Sequence, residues 1–470
     1  VHKIFMKKTA VLTAILPLIL ISLPNYASGQ DAAGMHNRDE PRELSGKLPV
    51  IGSPKYERPI KLGESNTQLT LADCYRLALA ESEKIAIDAD QIKIAEAHFL
   101  TVLSTITPHI SFLSQDYQEK KLTGAAAIGI IQVPKTSQRQ INLTQTLFDG
   151  FKTIAAFKRT HYEKSQFINE KIRGEQLLLL DVANAFYLLI EKREDIRALE
   201  KTRFALDDRV KELIARARLG KSRPSEIVYA KAQLYSVEAT IEGAKNQEVI
   251  VRQLLEFLIG WPVGELADDY DFPLKLKDEN YYTAKASARP DVAATEYAWH
   301  ASKENIKVVD SDFLPNAGIS ANYYTQRTAS NKGVDWDVTF AVSIPIFEGT
   351  DVLGRSKEAN LLADQSWQTF HLTRRQAPYD IKDAYTTLTT AMSIQNTLRK
   401  AYTTAKYNYH LQKRDYGRRL VSNLDVLAAI QTMNDSERNY IHALYEAKRQ
   451  YWDLRTAVGQ SGTENLNDAF

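Results

Sequence analysis

The sequence is poor in the features that usually tie a chain together or anchor it. Of 470 residues one is cysteine, Cys74, so no disulfide can form within the chain. Cys74 lies in an apolar helical pattern, where a small buried side chain is expected in place of a reactive thiol. Beyond the first thirty residues no stretch reaches about 18 uninterrupted apolar residues, the minimum for a spanning helix. If the chain crosses a membrane it must therefore do so as a closed β-barrel, because an open sheet would leave backbone groups unpaired in lipid. Charge of one sign is not in excess: 60 basic residues stand against 58 acidic ones, which gives no support for nucleic-acid binding. There is no Gly-rich phosphate loop after a strand and no Walker sequence. No two of the helix-borne histidines (His98, His161, His300, His371, His410, His442) stand at i, i+4 as a metal-binding pair with acids would, and Ser225 and Ser422 have no His/Asp context. No enzymatic activity, metal site or cofactor is expected.

Residues 1–29 read as an export signal. Lys7 and Lys8 form a basic start, Ala10 to Leu23 an apolar stretch, and Ala27-Ser28-Gly29 a cleavage site of small residues. The apolar stretch is too short to span a bilayer comfortably; a retained anchor is the alternative. Removing Lys3, Lys7 and Lys8 leaves 57 basic against 58 acidic residues. Residues 30–68, with Pro41, Pro49, Pro54 and Pro59, read as an irregular arm.

The remainder repeats itself. Phe148-Asp-Gly150 recurs as Phe347-Glu-Gly349, Asp181 to Phe186 as Asp380 to Tyr385, Glu226-Ile227 as Asp425-Val426 and Gly260 as Gly459, each pair 199 residues apart. Earlier in each half the offset is 207, as for Ile85 and Val292 or Pro108 and Pro315. The difference must fall between Pro108 and Phe148, where Gly124 to Gly129 and Pro134 mark a longer loop. The organisation expected is repeat 1 over 69–260, a linker over 261–284, repeat 2 over 285–459 and a loose tail over 460–470. In the linker Pro262 and Pro273 exclude a continuous helix and predict a short strand or packed loop.

Each repeat reads as helix, β-hairpin, very long helix, tight turn, helix. The first helix is expected from Leu71 to Leu103, with Thr70 or Asp73 at its start. The hairpins fall at about 109–147 and 316–347. In Trp336 to Ile346 apolar residues alternate with polar or small ones, at a length suited to crossing an outer membrane at a tilt. Tyr117, Tyr323, Tyr324 and Trp336 lie toward the loop ends, where an aromatic girdle would sit. Gly150 to Arg218 contains no proline and, as a helix, would extend on the order of 100 Å; its counterpart contains Pro378, which predicts a kink. Leu178, Val182, Ala185 and Leu189 mark an apolar stripe, so these rods should pack side by side as coiled coils. Turns at about 219–225 and 416–424 lead into the shorter helices.

Four strands cannot close a transmembrane barrel, which needs about eight or more. Three chains would supply twelve, the polar face (Asn142, Thr144, Ser320, Asn322, Thr339, Ser343) lining water. The fold class expected is mainly α, with a barrel part of four strands per chain, built from two tandem repeats.

In Leu69-Thr-Leu-Ala-Asp73, Gln145-Thr-Leu-Phe-Asp-Gly150, Ile344-Pro-Ile-Phe-Glu-Gly349 and the turns Leu219 to Glu226 and Tyr416 to Leu427, the chain resembles the TolC-like outer-membrane efflux proteins, from about residue 69 to 459. That resemblance implies a homotrimer in outer-membrane lipid, with a twelve-stranded barrel and a helical tunnel. It would dock a periplasmic adaptor (membrane fusion) protein and an inner-membrane transporter, as the exit duct of an efflux pump or type I secretion system. It further implies a periplasmic gate. Asp425 matches an acid ring that constricts the tunnel, although the second acid of well-known members is here Ala428. Tyr416 matches a tyrosine that holds the closed state by hydrogen bonds to the neighbouring turn, at Ser225 and Glu226. Arg418 and Arg419 are placed to bridge to Glu226; Arg419 stands where the family has a turn glycine, which Gly220 keeps. Gly220, Pro224, Gly417 and Ser422 mark the adaptor-docking turns. The plain alternative for all of these is a solvated helix turn. A periplasmic coiled-coil adaptor or scaffold without a barrel, and a secreted helical enzyme, are the competing readings of the whole chain.

Overall fold

The computed structural model describes residues 68–118, 120, 135–268, 276–328 and 333–460, all within one unit of the chain. The export signal, the irregular arm except residue 68, the loop from Gly124 to Pro134, Pro273 and the tail after residue 460 lie outside the described residues.

Helix α1 (Leu71–Glu81) starts at Thr70, where a capping box forms: the Asp73 N–H donates to Thr70 Oγ1 and the Thr70 N–H to Asp73 Oδ2, both at 3.2 Å. The single helix expected to Leu103 is in fact two, because Ser82 leaves the helical region (φ −71°, ψ 111°). Its hydroxyl then accepts the Ile85 N–H and opens α2 (Glu83–Ser104). The buried Cys74 sits in α1, and burial pushes its thiol up to about 12.

Strands β1 (His109–Gln118) and β2 (Lys135–Phe148) lead into α3 (Lys152–Arg218) and α4 (Pro224–Ile259). The described residues of the linker hold no strand, but they are not only a loop. Leu69 and Leu266 form an isolated parallel bridge, and a five-residue helix, α5 (Glu279–Thr283), follows. Then come α6 (Pro290–Asp310), β3 (Asn316–Arg327), β4 (Trp336–Ser343), α7 (Asp351–Gly417) and α8 (Asn423–Ala457). Strand β4 stops at Ser343, short of Ile346, since Pro345 has no N–H to offer the ladder. Helices α3 and α7 each run 67 residues, with Pro378 inside the single helix α7, so each rod is about 100 Å long. Among the described residues no helix is long and apolar enough to cross a membrane.

The repeat is written into the backbone. Left-handed residues recur 199 apart: Gly150 and Gly349, Gly220 and Arg419, Gly260 and Gly459. At Gly150 the conformation is compulsory on two counts, since a Cβ there would also lie 2.8 Å from the Ser311 carbonyl and from Leu314 Cβ.

The four strands form one antiparallel sheet in the order β1-β2-β3-β4, so the hairpins lie side by side and β1 and β4 are its edges. Register sorts the side chains into cross-strand rows. Phe112, Ile141, Tyr323 and Trp336 form one apolar row, and Ile110, Leu143, Ala321 and Val338 the next. The opposite face carries Ser111, Asn142, Asn322 and Asp337, then His109, Thr144, Ser320 and Thr339. The Asn142 amide donates to Asn322 Oδ1 (2.8 Å), the Asn322 amide to Asp337 Oδ1 (2.8 Å) and the Tyr324 hydroxyl to Asp337 Oδ2 (2.7 Å). The apolar rows are exposed in the single chain, Phe112 and Phe340 by more than 60%.

The helical core lies along the middle of α3. Val182, Phe186, Tyr187 and Leu189 pack with Ala78, Leu255, Ile381, Leu388 and Trp452. At the edge of this core the end of α8 is held by side chains from other helices. Arg173 donates to the Thr456 carbonyl (2.8 Å), Gln176 to that of Gly459 (2.8 Å) and Arg289 to that of Ala457 (3.2 Å). These serve the carbonyls that a helix C-terminus leaves without partners. Arg289, 3% exposed, also binds Asp291 and Asp380 (3.0 Å). Burial raises the Asp291 carboxyl, but the Arg289 and Arg173 guanidiniums outweigh it and hold the group below the usual carboxylate range.

Replacing Arg289 with Leu should strip two carboxylates and a helix end of their donor and cost about 3 kcal/mol, seen as a lower thermal midpoint by circular dichroism. Because the Asp291 value is depressed, its stabilisation is present above the ordinary carboxylate range and is lost as pH falls through the folded value. Acid should therefore destabilise the native chain more than Arg289→Leu; equal acid sensitivity would show that this pair contributes little.

Candidate functional site

Two short turns, 219–223 and 418–422, join the helices of each hairpin. Both close with the same hydrogen bonds. The Gly220 N–H donates to the Ala217 carbonyl and the Lys221 N–H to that of Arg216 (both 2.9 Å). The Arg419 N–H donates to the Tyr416 carbonyl and the Leu420 N–H to that of Asp415 (both 3.0 Å). This is the Schellman closure, which places one left-handed residue just past each helix. In the first turn that residue is Gly220 (φ 68°), in the second Arg419 (φ 65°). Space is not the difficulty, since a Cβ at Gly220 would have nothing within 4 Å. The cost at Arg419 is in the backbone, on the order of 1 kcal/mol.

The shorter helices begin here. Ser422 caps α8, with the Asp425 carboxylate accepting both its N–H and its hydroxyl at 2.7 Å. Those two donors hold the fully exposed Asp425 carboxyl below the usual carboxylate range, so it is ionised at neutral pH. Pro224 is the first residue of α4, and Glu226 in its first turn accepts the Ser222 hydroxyl at 2.6 Å. Gly417 is the last residue of α7. Ser225 is exposed beside Pro224.

Tyr416 is buried, and its ring lies between two guanidiniums of α3, Arg209 at 3.6 Å and Arg216 at 4.4 Å from the ring centre. Arg209 also donates to Asn423 Oδ1 at 2.8 Å, and Glu212 binds both arginines at 2.7 and 2.8 Å. Val210, Leu213, Leu234, Val426 and Leu427 pack beneath, so the two turns share one end of the molecule. Within one chain the Tyr416 hydroxyl does not bond to Ser225 or Glu226, and neither Arg418 nor Arg419 pairs with Glu226. The tie between the second turn and the first hairpin is instead the Arg209–Tyr416–Arg216 stack with Asn423. Sequence reasoning missed Arg209, Glu212, Arg216 and Asn423. Two arginines seven apart flanking a glutamate look like an ordinary solvated helix face, and their partner Tyr416 lies far along the chain on another helix.

The model of the family described as outer membrane efflux protein matches residues 281–460. The outer membrane efflux protein BepC of Brucella suis is 23% identical over 370 residues, 74% of this chain and 78% of that one. The outer membrane protein TolC of Vibrio cholerae is 20% identical over 346 residues, 70% of this chain and 78% of that one. Among solved structures, the outer membrane protein VceC of Vibrio cholerae superposes with a TM-score of 0.73 at 18% identity, covering 83% of this chain and 96% of its own. The fold, with its open-edged sheet, is that of the helical-tunnel outer-membrane channels. Residues 281–460 match the outer membrane efflux protein family, and over most of its length the chain resembles the TolC-like outer membrane factors. It is an exit duct of the Gram-negative outer membrane, with its tunnel in the periplasm.

Arg419→Gly should relieve the backbone strain and raise stability by about 1 kcal/mol, measured as a higher unfolding midpoint. Tyr416→Phe keeps the ring between the guanidiniums and should leave that midpoint nearly unchanged. Tyr416→Ala should lower it by about 3 kcal/mol; equal effects of the two would show that the hydroxyl, not the stack, ties the turn.

Proposed function

We propose that three copies of this chain close into one conduit, a twelve-stranded barrel continued by a ring of helical hairpins. The observation that carries this reading is the sheet: four strands, two unpaired edges, and an exposed face of apolar rows. Pairing each β1 with a neighbour's β4 satisfies the edges, turns the apolar rows to lipid and the Asn142–Asn322–Asp337 row to water. Each chain contributes two repeats, 69–260 and 285–459, joined by the linker 261–284.

The protein then acts as the passive last section of a tripartite efflux pump or type I secretion system. Its family consists of channel proteins. It carries out no catalysis of its own, and the energy for transport comes from an inner-membrane transporter. A periplasmic adaptor docks on the turns around Gly220, Pro224, Gly417 and Ser422. The same turns form the gate. Three Asp425 carboxylates around a narrow axis repel one another and constrict it, the Tyr416 stack keeps each second hairpin against its first, and Ser225, Glu226, Arg418 and Arg419 face the neighbouring chain.

In a planar lipid bilayer Asp425→Ala should raise the single-channel conductance of the purified pore. Asp425→Asn, which keeps an acceptor for the Ser422 cap but removes the charge, should do the same. Unchanged conductance and ion selectivity in both would remove Asp425 from the gate.

A further inference from the structure

The tip where the two turns meet is charged unequally. Arg218, Lys221, Arg223, Arg418 and Arg419 are exposed there, and none of them pairs with a carboxylate among the described residues. The acids nearby are all engaged. Glu212 binds Arg209 and Arg216, Asp415 binds Arg414, Glu226 accepts from Ser222, and Asp425 serves its own helix start. One of the five cations is also held at a conformational cost. Arg419 occupies a left-handed position that its equivalent in the first repeat fills with Gly220, so the local fold would favour glycine there. Strain kept at a site where a simpler residue would relieve it points to a use for the side chain.

From this we infer that the periplasmic mouth is an anion-selective entrance, and that the cargo it admits is a class of solutes carrying net negative charge. The inference rests on the trimeric-duct reading and specifies its substrate. Five cations per chain without a carboxylate partner in their own chain become fifteen around a threefold axis, against six carboxylates, three Asp425 and three Glu226, which keep their charge while accepting serine hydroxyls. A mouth lined by one sign of charge concentrates the opposite sign at the entrance. The Asp425 ring taken alone would favour cations; the surrounding arginines and lysine outnumber it and set the sign of the field that a solute meets first. Because the charges are exposed, their reach follows the Debye length, about 30 Å at 0.01 M salt and about 3 Å at 1 M.

The test is the reversal potential of the purified full-length protein in a planar bilayer under a potassium chloride gradient. Chloride should be preferred to potassium at low salt, with the preference fading toward molar salt. The double variant R418Q/R419G removes two charges per chain and also relieves the turn, so it should fold at least as well as the native chain; its reversal potential should shift toward that of a cation-selective pore. Potassium preference in the native protein, or a reversal potential unmoved by the double variant, would overturn the inference while leaving a conducting duct. Absence of any conductance would overturn the duct reading, and this inference with it.

Discussion

Backbone hydrogen bonding at the two edges of a four-stranded sheet governs everything else in this molecule. Among the described residues strands β1 and β4 each leave one side of their ladder without a partner, and the sheet turns an apolar face outward with no helix over it. In water such a face would aggregate; in hydrocarbon the open edges would be costlier still. One subunit cannot resolve both problems; the proposed closure of three copies would resolve them together. The long rods face the same difficulty in another form. A helix of 67 residues has more surface than its own chain can cover, so α3 and α7 are buried in stripes and leave Phe204, Leu361, Leu362, Leu372 and Tyr407 exposed.

The parts of this architecture written in local patterns were legible in the sequence. Period-two alternation marked Trp336 to Ser343, and the constant offset of 199 marked the duplication, which returns in the backbone as paired left-handed residues. Even Arg419 could be placed, because its partner in the repeat is a glycine. The break at Ser82 was hidden, since the apolar spacing continues across it and only one residue departs from helical geometry. The overshoot of β4 had a similar cause: alternation runs on through Ile346, but Pro345 cannot donate to the ladder.

What could not be read was long-range and polar. The Arg289 cluster joins residues from α6, α7 and α8, and the Tyr416 stack joins α7 to α3. In a linear sequence such residues are indistinguishable from solvated charges on helix faces. The expected Tyr416 hydrogen bond rested on resemblance, while the structure satisfies the same residue through its ring. Within the chain it is the ring, through Arg209 and Arg216, that keeps the second hairpin against the first.

The arrangement around the end of α8 has a mechanical consequence. Leu69 bridges Leu266, Gly260 packs against Glu81, Gly459 against Arg289, and Arg173 and Gln176 grip the last carbonyls of α8. Together with the Arg193 bond to the Gly264 carbonyl, these contacts root the described ends of the hairpins along α3 between Arg173 and Arg193. From Arg193 to Arg218 the rod runs on for about 37 Å at 1.5 Å per residue. Over that length a tilt of about 5° carries the tip sideways by about 3 Å, roughly the width of one water molecule. A shift of the turns therefore requires no unfolding of the rods and hardly any motion where they are rooted.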